Sequence, residues 1–266
     1  MEVIICRNGQ DVGRVAAAKV ARVVRERGAD VVIGLSTGSS PLATYADLSR
    51  RVESGDLDLS RAWGFALDEY VGLPKGHPES YAEVIRKTVT EPLRMDPARV
   101  VTPDGFSQDL QAAASRYEQQ IKAAGGVDIQ ILGVGANGHI GFNEPGSSLA
   151  SRTRIKTLAS LTRNDNSRFF DSLDEVPRHC LTQGLGTIMD AKEVLMVAQG
   201  ENKARAVAAL VEGPVTATWP GSVLQLHPLA TVVVDEAAAS LLANANYYRE
   251  TYDFKPAWQR FEDPVT

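Results

Sequence analysis

Residues 31–52 read VVIGLSTGSSPLATYADLSRRV. Val31–Leu35 is a short apolar run rich in β-branched residues, the mark of a buried strand. Pro41–Val52 carries helical periodicity. Between them Ser36–Pro41 supplies small and hydroxyl-bearing residues. A strand, a tight loop and a helix in this order form half of a βαβ unit. The loop reads in two ways. It offers backbone N–H groups at the positive end of a helix, a cradle for a phosphate. It also reads as a plain N-cap, with Ser40 capping and Pro41 in the first helical position. Local sequence favours the N-cap, because the loop is neither a Walker A loop nor a GxGxxG fingerprint.

The same alternation extends both ways. Glu2–Cys6, Trp63–Leu67, Asp128–Val134, Glu193–Ala198 and Ala230–Val234 read as further strands. Asp11–Arg27, Ser80–Leu93, Asp109–Ala124, Glu201–Val211 and Glu236–Tyr248 read as helices. The expected architecture is one doubly wound, mostly parallel α/β sheet, Rossmann-like, with helices on both faces. No linker, repeat or low-complexity segment divides the chain. The reading is therefore a single domain over residues 1–266, with an irregular tail from about residue 252.

The chain has 266 residues, 28 Lys and Arg against 33 Asp and Glu, and a formal net charge of −5. This balance opposes nucleic-acid binding, which needs a concentrated basic face. Two cysteines, Cys6 and Cys180, give no disulfide framework or zinc spacing, and no required metal is expected. No apolar run approaches the ~18 residues of a membrane span. The N-terminus shows no secretory pattern, so the expected location is the cytoplasm.

In open α/β sheets the ligand lies beyond the carboxyl ends of the strands. Four segments there carry chemistry. The first is the Ser36–Pro41 loop. The second is Leu67-Asp68-Glu69-Tyr70, where adjacent carboxylates offer a general base or a solvated acidic turn. Successive residues of an extended chain point to opposite sides, so one of the two faces a pocket. The third is the strongest: GVGANGHIGFNEPG over residues 133–146 sets five glycines around His139, with Glu144 five residues on. Glycine allows close approach of backbone to ligand, and a nearby carboxylate orients an imidazole for proton transfer. The fourth is basic. Arg152, Arg154, Lys156, Arg163 and Arg168 follow in close succession, and Lys203 opens a later helix; for most of the five a solvated face is the ordinary reading. His77, His179 and His227 read as structural or weaker candidates.

Taken together, LSTGSSPLATY (35–45), LDEYVGLPKGHPESY (67–81), GVGANGHIGFNEPGSSLASRTRIKTL (133–158), NSRFF (166–170), LTQGLGTIMDAKEVLMVAQGENKA (181–204) and SVLQLHP (222–228) resemble the glucosamine-6-phosphate deaminase family. The resemblance runs in family order from about residue 30 to residue 240. It implies a cofactor-free hydrolase of amino sugar metabolism, converting glucosamine 6-phosphate and water to fructose 6-phosphate and ammonia. By this resemblance Asp68 is the base that moves a proton between C2 and C1. His139 opens the sugar ring, held by Asn137 and Glu144. Thr37, Gly38, Ser39 and Ser40 cradle the phosphate, with Arg168 and Lys203 as charged clamps. Some members have Asp where this chain has Asn137. That departure leaves the carboxylate role to Glu144 and implies that His139 is neutral at rest. The resemblance also implies a homo-oligomer, a hexamer by preference, and allosteric activation by N-acetylglucosamine 6-phosphate at Ser147, Ser148, Arg154 and Lys156, with Tyr247 or Tyr248 as a further contributor. The competing readings are a 6-phosphogluconolactonase, a galactosamine-6-phosphate deaminase and a non-catalytic sugar-phosphate sensor. The sensor is disfavoured, because no residues remain for a DNA-binding unit.

Overall fold

In the computed structural model, residues 1–261 are described. Seven strands form one sheet: β1 (Glu2–Cys6), β2 (Val32–Leu35), β3 (Trp63–Ala66), β5 (Val100–Val101), β6 (Ile129–Leu132), β9 (Glu193–Ala198) and β10 (Ala230–Asp235). Their order is β1-β10-β9-β6-β2-β3-β5, and every pairing is parallel. Alternation along the strands divides the apolar side chains between two faces. Ile4, Ile33, Leu35, Ile131, Leu195, Val197 and Val233 pack on one side. Val3, Ile5, Val32, Leu132, Val194, Met196, Val232 and Val234 pack on the other. Each fully buried side chain of this kind contributes about 1.5–3 kcal/mol.

The first face is covered by α1 (Gly9–Arg27) and α2 (Leu42–Glu53). Asn8 starts α1 by accepting the N–H of Asp11 at 3.0 Å, and Gly28 stops it in the left-handed region at φ 83°. The second face packs against α4 (Leu110–Ala123), α6 (Leu185–Met189) and α7 (Ala204–Val211). At the centre of the sheet Gly34 of β2 lies opposite Gln130 of β6. A Cβ at Gly34 would sit 2.0 Å from the Gln130 amide oxygen, so the glycine makes room for that side chain.

Beyond the expected sheet there is a second one. β4 (Asp68–Tyr70), β8 (His179–Thr182) and β7 (Arg154–Thr157) form an antiparallel ribbon in the order β4-β8-β7. It stands over the carboxyl end of the main sheet, because β4 continues β3 through Leu67 alone. Two helices also depart from the sequence pattern. The Ser80–Leu93 segment begins as α3 (Tyr81–Ile85) and widens into a π-helical turn over Arg86–Thr90, with the Glu91 N–H on the Arg86 carbonyl at 3.0 Å. The expected helix over Glu236–Tyr248 is displaced to α8 (Ala245–Asp253). Residues 236–243 instead form turns that bury Ala238, Ala239 and Leu242 in the core, anchored by the Ala238 N–H on Asp235 at 2.8 Å. Packing overrides alanine's helix propensity here. From Phe254 the described tail holds only a short turn at Ala257–Gln259; residues 262–266 of the expected irregular tail lie outside the described residues. No described helix is long and apolar enough to cross a membrane.

Candidate active site

The chain runs outward from β2 to β3 and β5 on one side, and from β6 to β9 and β10 on the other. The order therefore reverses between β2 and β6, the place where such sheets bind ligands. A cavity of about 450 Å³ opens there. Its walls come from the loops after β2, β3, β6 and β9, and its cover from α5 (Ser160–Asn166) and the turn that follows. A larger cavity of about 590 Å³ lies between the end of α4 and α6, but none of the candidate catalytic residues lines it.

At one end of the switch-point cavity lie Thr37, Gly38, Ser39 and Ser40. Gly38 turns the loop in the left-handed region at φ 88°. The N-cap reading of Ser40 does not hold: α2 begins at Leu42 after Pro41, with no side chain on its free N–H groups. Those donors stay available to an anion. Ser36, one residue earlier, also lines the cavity, and its buried hydroxyl has no hydrogen-bond partner. Lys203 and Arg168 join this end. Burial lowers the Lys203 ammonium's pKa, Asp165 opposes that, and Arg168 adds to it.

Across the cavity, Asp68 and Glu69 part as the strand geometry demands. Asp68 lines the cavity and is 5% exposed. Burial pushes its carboxyl well above the usual carboxylate range, and the neighbouring Glu69 charge adds to this. Glu69 turns away and is structural. It accepts the N–H groups of Tyr70, Tyr81 and Ala82 at 2.8, 2.9 and 2.8 Å, tying β4 to the start of α3.

His139 lies between these ends, its side chain 19% exposed. A Cβ on Gly135 would lie 2.2 Å from the ring's Cε1, so the imidazole rests flat against bare backbone. Asn137 and Glu144 stand behind the ring. Asn137 Nδ2 donates to Glu144 Oε2 at 2.8 Å, which leaves its Oδ1 facing His139 Nδ1 at 2.7 Å and the His139 backbone N–H at 3.2 Å. A carboxylate only accepts, so the amide's orientation is assigned by its neighbours, and Nδ1 must carry a proton. The Nε2 atom is left as the free base. Burial holds the imidazole pKa below its usual value; Glu144 pulls it up, Lys203 pushes it down and Asp165 raises it.

Three residues that the sequence reading did not single out join the site, two of them (Tyr81 and Asn166) inside stretches quoted for the resemblance. Tyr81 lines the cavity beside Asp68. Thr162, on α5, donates its hydroxyl to Glu144 Oε1. Asn166 donates to the Tyr70 hydroxyl at 2.9 Å. The four expected effector residues lie outside the cavity. Ser147 is buried with an unpartnered hydroxyl, Ser148 is exposed, and Arg154 and Lys156 share one face of β7. Arg154 donates to Asn143 Oδ1 at 2.9 Å. Among the other histidines, His227 is structural: it is buried, and its Nε2 meets the Ala191 carbonyl at 2.8 Å. Among the described residues no cluster of His, Cys, Asp and Glu could hold a metal ion.

A parallel sheet whose switch-point cavity is lined by an anion cradle, a buried carboxylate and an imidazole can bind a small phosphorylated molecule and move its protons. The chain belongs to the family of glucosamine-6-phosphate isomerases and 6-phosphogluconolactonases, whose model matches residues 8–233. It is 59% identical over 259 residues to the glucosamine-6-phosphate deaminase of Pseudarthrobacter chlorophenolicus, covering 97% of this chain and 99% of that one. It is 55% identical over 260 residues to the deaminase of Mycolicibacterium smegmatis, covering 97% and 99%. A solved monomeric glucosamine-6-phosphate deaminase superposes with a TM-score of 0.88 at 41% identity, over 91% of this chain and 100% of that chain. The 6-phosphogluconolactonase of Trypanosoma cruzi shares the fold, with a TM-score of 0.70 at 20% identity over 91% and 97%.

Proposed function

We propose that this chain is a glucosamine-6-phosphate deaminase, acting as a single α/β catalytic domain. The observation that carries the reading is Asp68: a buried carboxylate, without a hydrogen-bond partner among the described residues, facing the same cavity as His139 and Lys203. Full-length identity to deaminases at 52–59%, against 20% to a lactonase, supports this over lactone hydrolysis.

The substrate phosphate binds the N–H groups of Thr37–Ser40 and the cations Arg168 and Lys203. This remote grip holds the reacting carbons against Asp68. His139 Nε2 takes the proton of the anomeric hydroxyl and returns it to the ring oxygen, opening the sugar. Asp68 then takes the proton from C2 and delivers it to C1 through an enolamine. Its raised pKa makes it a stronger base than an exposed aspartate. The imine left at C2 adds water and releases ammonia, giving fructose 6-phosphate.

Sugar phosphates do not cross membranes unaided, which is consistent with the cytoplasmic location proposed here. For regulation, the proposal is a homo-oligomer, with a hexamer as the expected order, activated by N-acetylglucosamine 6-phosphate at Ser147, Ser148, Arg154 and Lys156. The Arg154–Asn143 bond supports it, because it joins β7 to the loop that carries His139 and Glu144. The proposed C-terminal contributor is Tyr247 or Tyr248; Tyr248 is engaged by Glu212 at 3.1 Å, and the exposed position of Tyr247 favours it.

The deciding experiment measures ammonia release from glucosamine 6-phosphate by wild type and Asp68→Asn. A folded wild-type protein that releases none sinks the assignment. Galactosamine 6-phosphate in parallel reads the epimer preference. Sedimentation, with kinetics in N-acetylglucosamine 6-phosphate, tests regulation; an unresponsive monomer removes it.

A further inference from the structure

The cover of the cavity does more than close it. Thr162 is 3% exposed, and its hydroxyl donates to Glu144 Oε1. The other oxygen of Glu144 takes the Asn137 amide, whose carbonyl faces His139. A four-member relay thus runs from α5 to the imidazole. The segment that supplies Thr162 continues to Asn166, bonded to Tyr70, and then to Arg168 at the anion end.

We infer that Thr162 is a positioning residue: its hydroxyl holds Glu144 so that Asn137, rather than Glu144 itself, faces His139 Nδ1. Glu144 is 6% exposed, so an oxygen stripped of its donor has little water to turn to. The nearest alternative is the imidazole, since Glu144 Oε2 already lies 3.7 Å from Nδ1. Without the hydroxyl the carboxylate swings onto the ring and makes it more basic. The other charged groups facing His139 are Lys203 beyond β9, Asp165 on α5 and Asp68 across the cavity, and none of them is altered by the change. The catalytic consequence rests on the deaminase reading; the effect on the ring does not.

The test compares wild type, Thr162→Val and Thr162→Ser. Nitrogen-15 imidazole titration of the substrate-free proteins reads the His139 tautomer and pKa, and kcat and KM are followed against pH. Thr162→Val is expected to raise the His139 pKa and carry the acid limb of kcat to higher pH. Its kcat at neutral pH falls about tenfold, the scale of one hydrogen bond to a charged group, while KM stays within about twofold. Thr162→Ser keeps wild-type behaviour. If Thr162→Val does not fold, Thr162→Ala is read in its place. A hydroxyl-free variant with a wild-type His139 titration overturns the inference. So does a Thr162→Ser protein as impaired as Thr162→Val. Because the titration needs no substrate, an inactive wild type would fell the deaminase reading and leave the titration to judge Thr162.

Discussion

The Nδ1 atom of His139 lies 2.7 Å from Oδ1 of Asn137. An amide oxygen can accept a proton's hydrogen bond but cannot compensate a full positive charge. The pair therefore favours a neutral ring with Nε2 bare toward the cavity. Asn137→Asp puts a carboxylate at that contact. It is expected to raise the His139 pKa and move the acid limb of the rate profile to higher pH. Imidazole titration by NMR checks this; an unchanged or lowered pKa refutes it. Asn137→Leu, which removes the acceptor, is expected to lower kcat by about 10²-fold, at the low end for general acid–base groups.

Asp68 sets function against stability. Its pKa is raised in the fold, so the folded state binds more protons than the unfolded chain above pH 3.8, and stability falls as pH rises from there. The cost is in full force once the carboxylate is ionised. Asp68→Asn is expected to abolish measurable turnover, a loss of at least ~10³-fold, and to raise the thermal midpoint by about 2–4 °C for each kcal/mol recovered. Calorimetry at neutral pH checks it, and a lower midpoint than wild type counts against the burial argument.

The neighbouring Glu69 gives the opposite result. It receives three backbone N–H groups, and Glu69→Ala leaves the buried one of Tyr70 and the part-buried ones of Tyr81 and Ala82 without this partner. A loss of roughly 2–4 kcal/mol in unfolding free energy is expected, each orphaned group costing about 1–3 kcal/mol before relaxation. Urea denaturation measures it. A loss below ~0.5 kcal/mol would show that α3 is held by other means.

Lys203 should appear in KM rather than kcat. Lys203→Met is expected to raise KM about 10- to 100-fold, the worth of a charge-assisted contact to phosphate. Because burial lowers its pKa, the wild-type KM should begin to climb on the alkaline side before the ordinary lysine range near 10.5. A KM independent of pH up to that value, or unchanged by Lys203→Met, places the anion elsewhere.

Much of this site is written locally. The glycine-bracketed His139 stands out because loop chemistry depends on short-range conformation, whereas the Ser36–Pro41 loop reads locally as a plain N-cap and its anion role comes only with the family resemblance. The parting of Asp68 and Glu69 follows from strand geometry alone. Thr162 had no such signal: it meets Glu144 across eighteen residues, by a helix folding over the cavity. The β4-β8-β7 ribbon escaped for a similar reason. Its strands have three or four residues each, too few for alternation to register, and β4 meets β8 across more than a hundred positions. The loss of the helix at residues 236–243 has a tertiary cause, since Asp235 and the core claim residues whose own preference is helical.

The flat seat of His139 against Gly135 has a consequence for how members of this family are judged from their residues. An alanine there would add one methyl group into the space of the ring. Every acid, base and cation would still be present, yet the imidazole would be evicted. A homologue can therefore carry the whole polar signature and be silent, and only inspection of the small residues around it tells an enzyme from its lookalike.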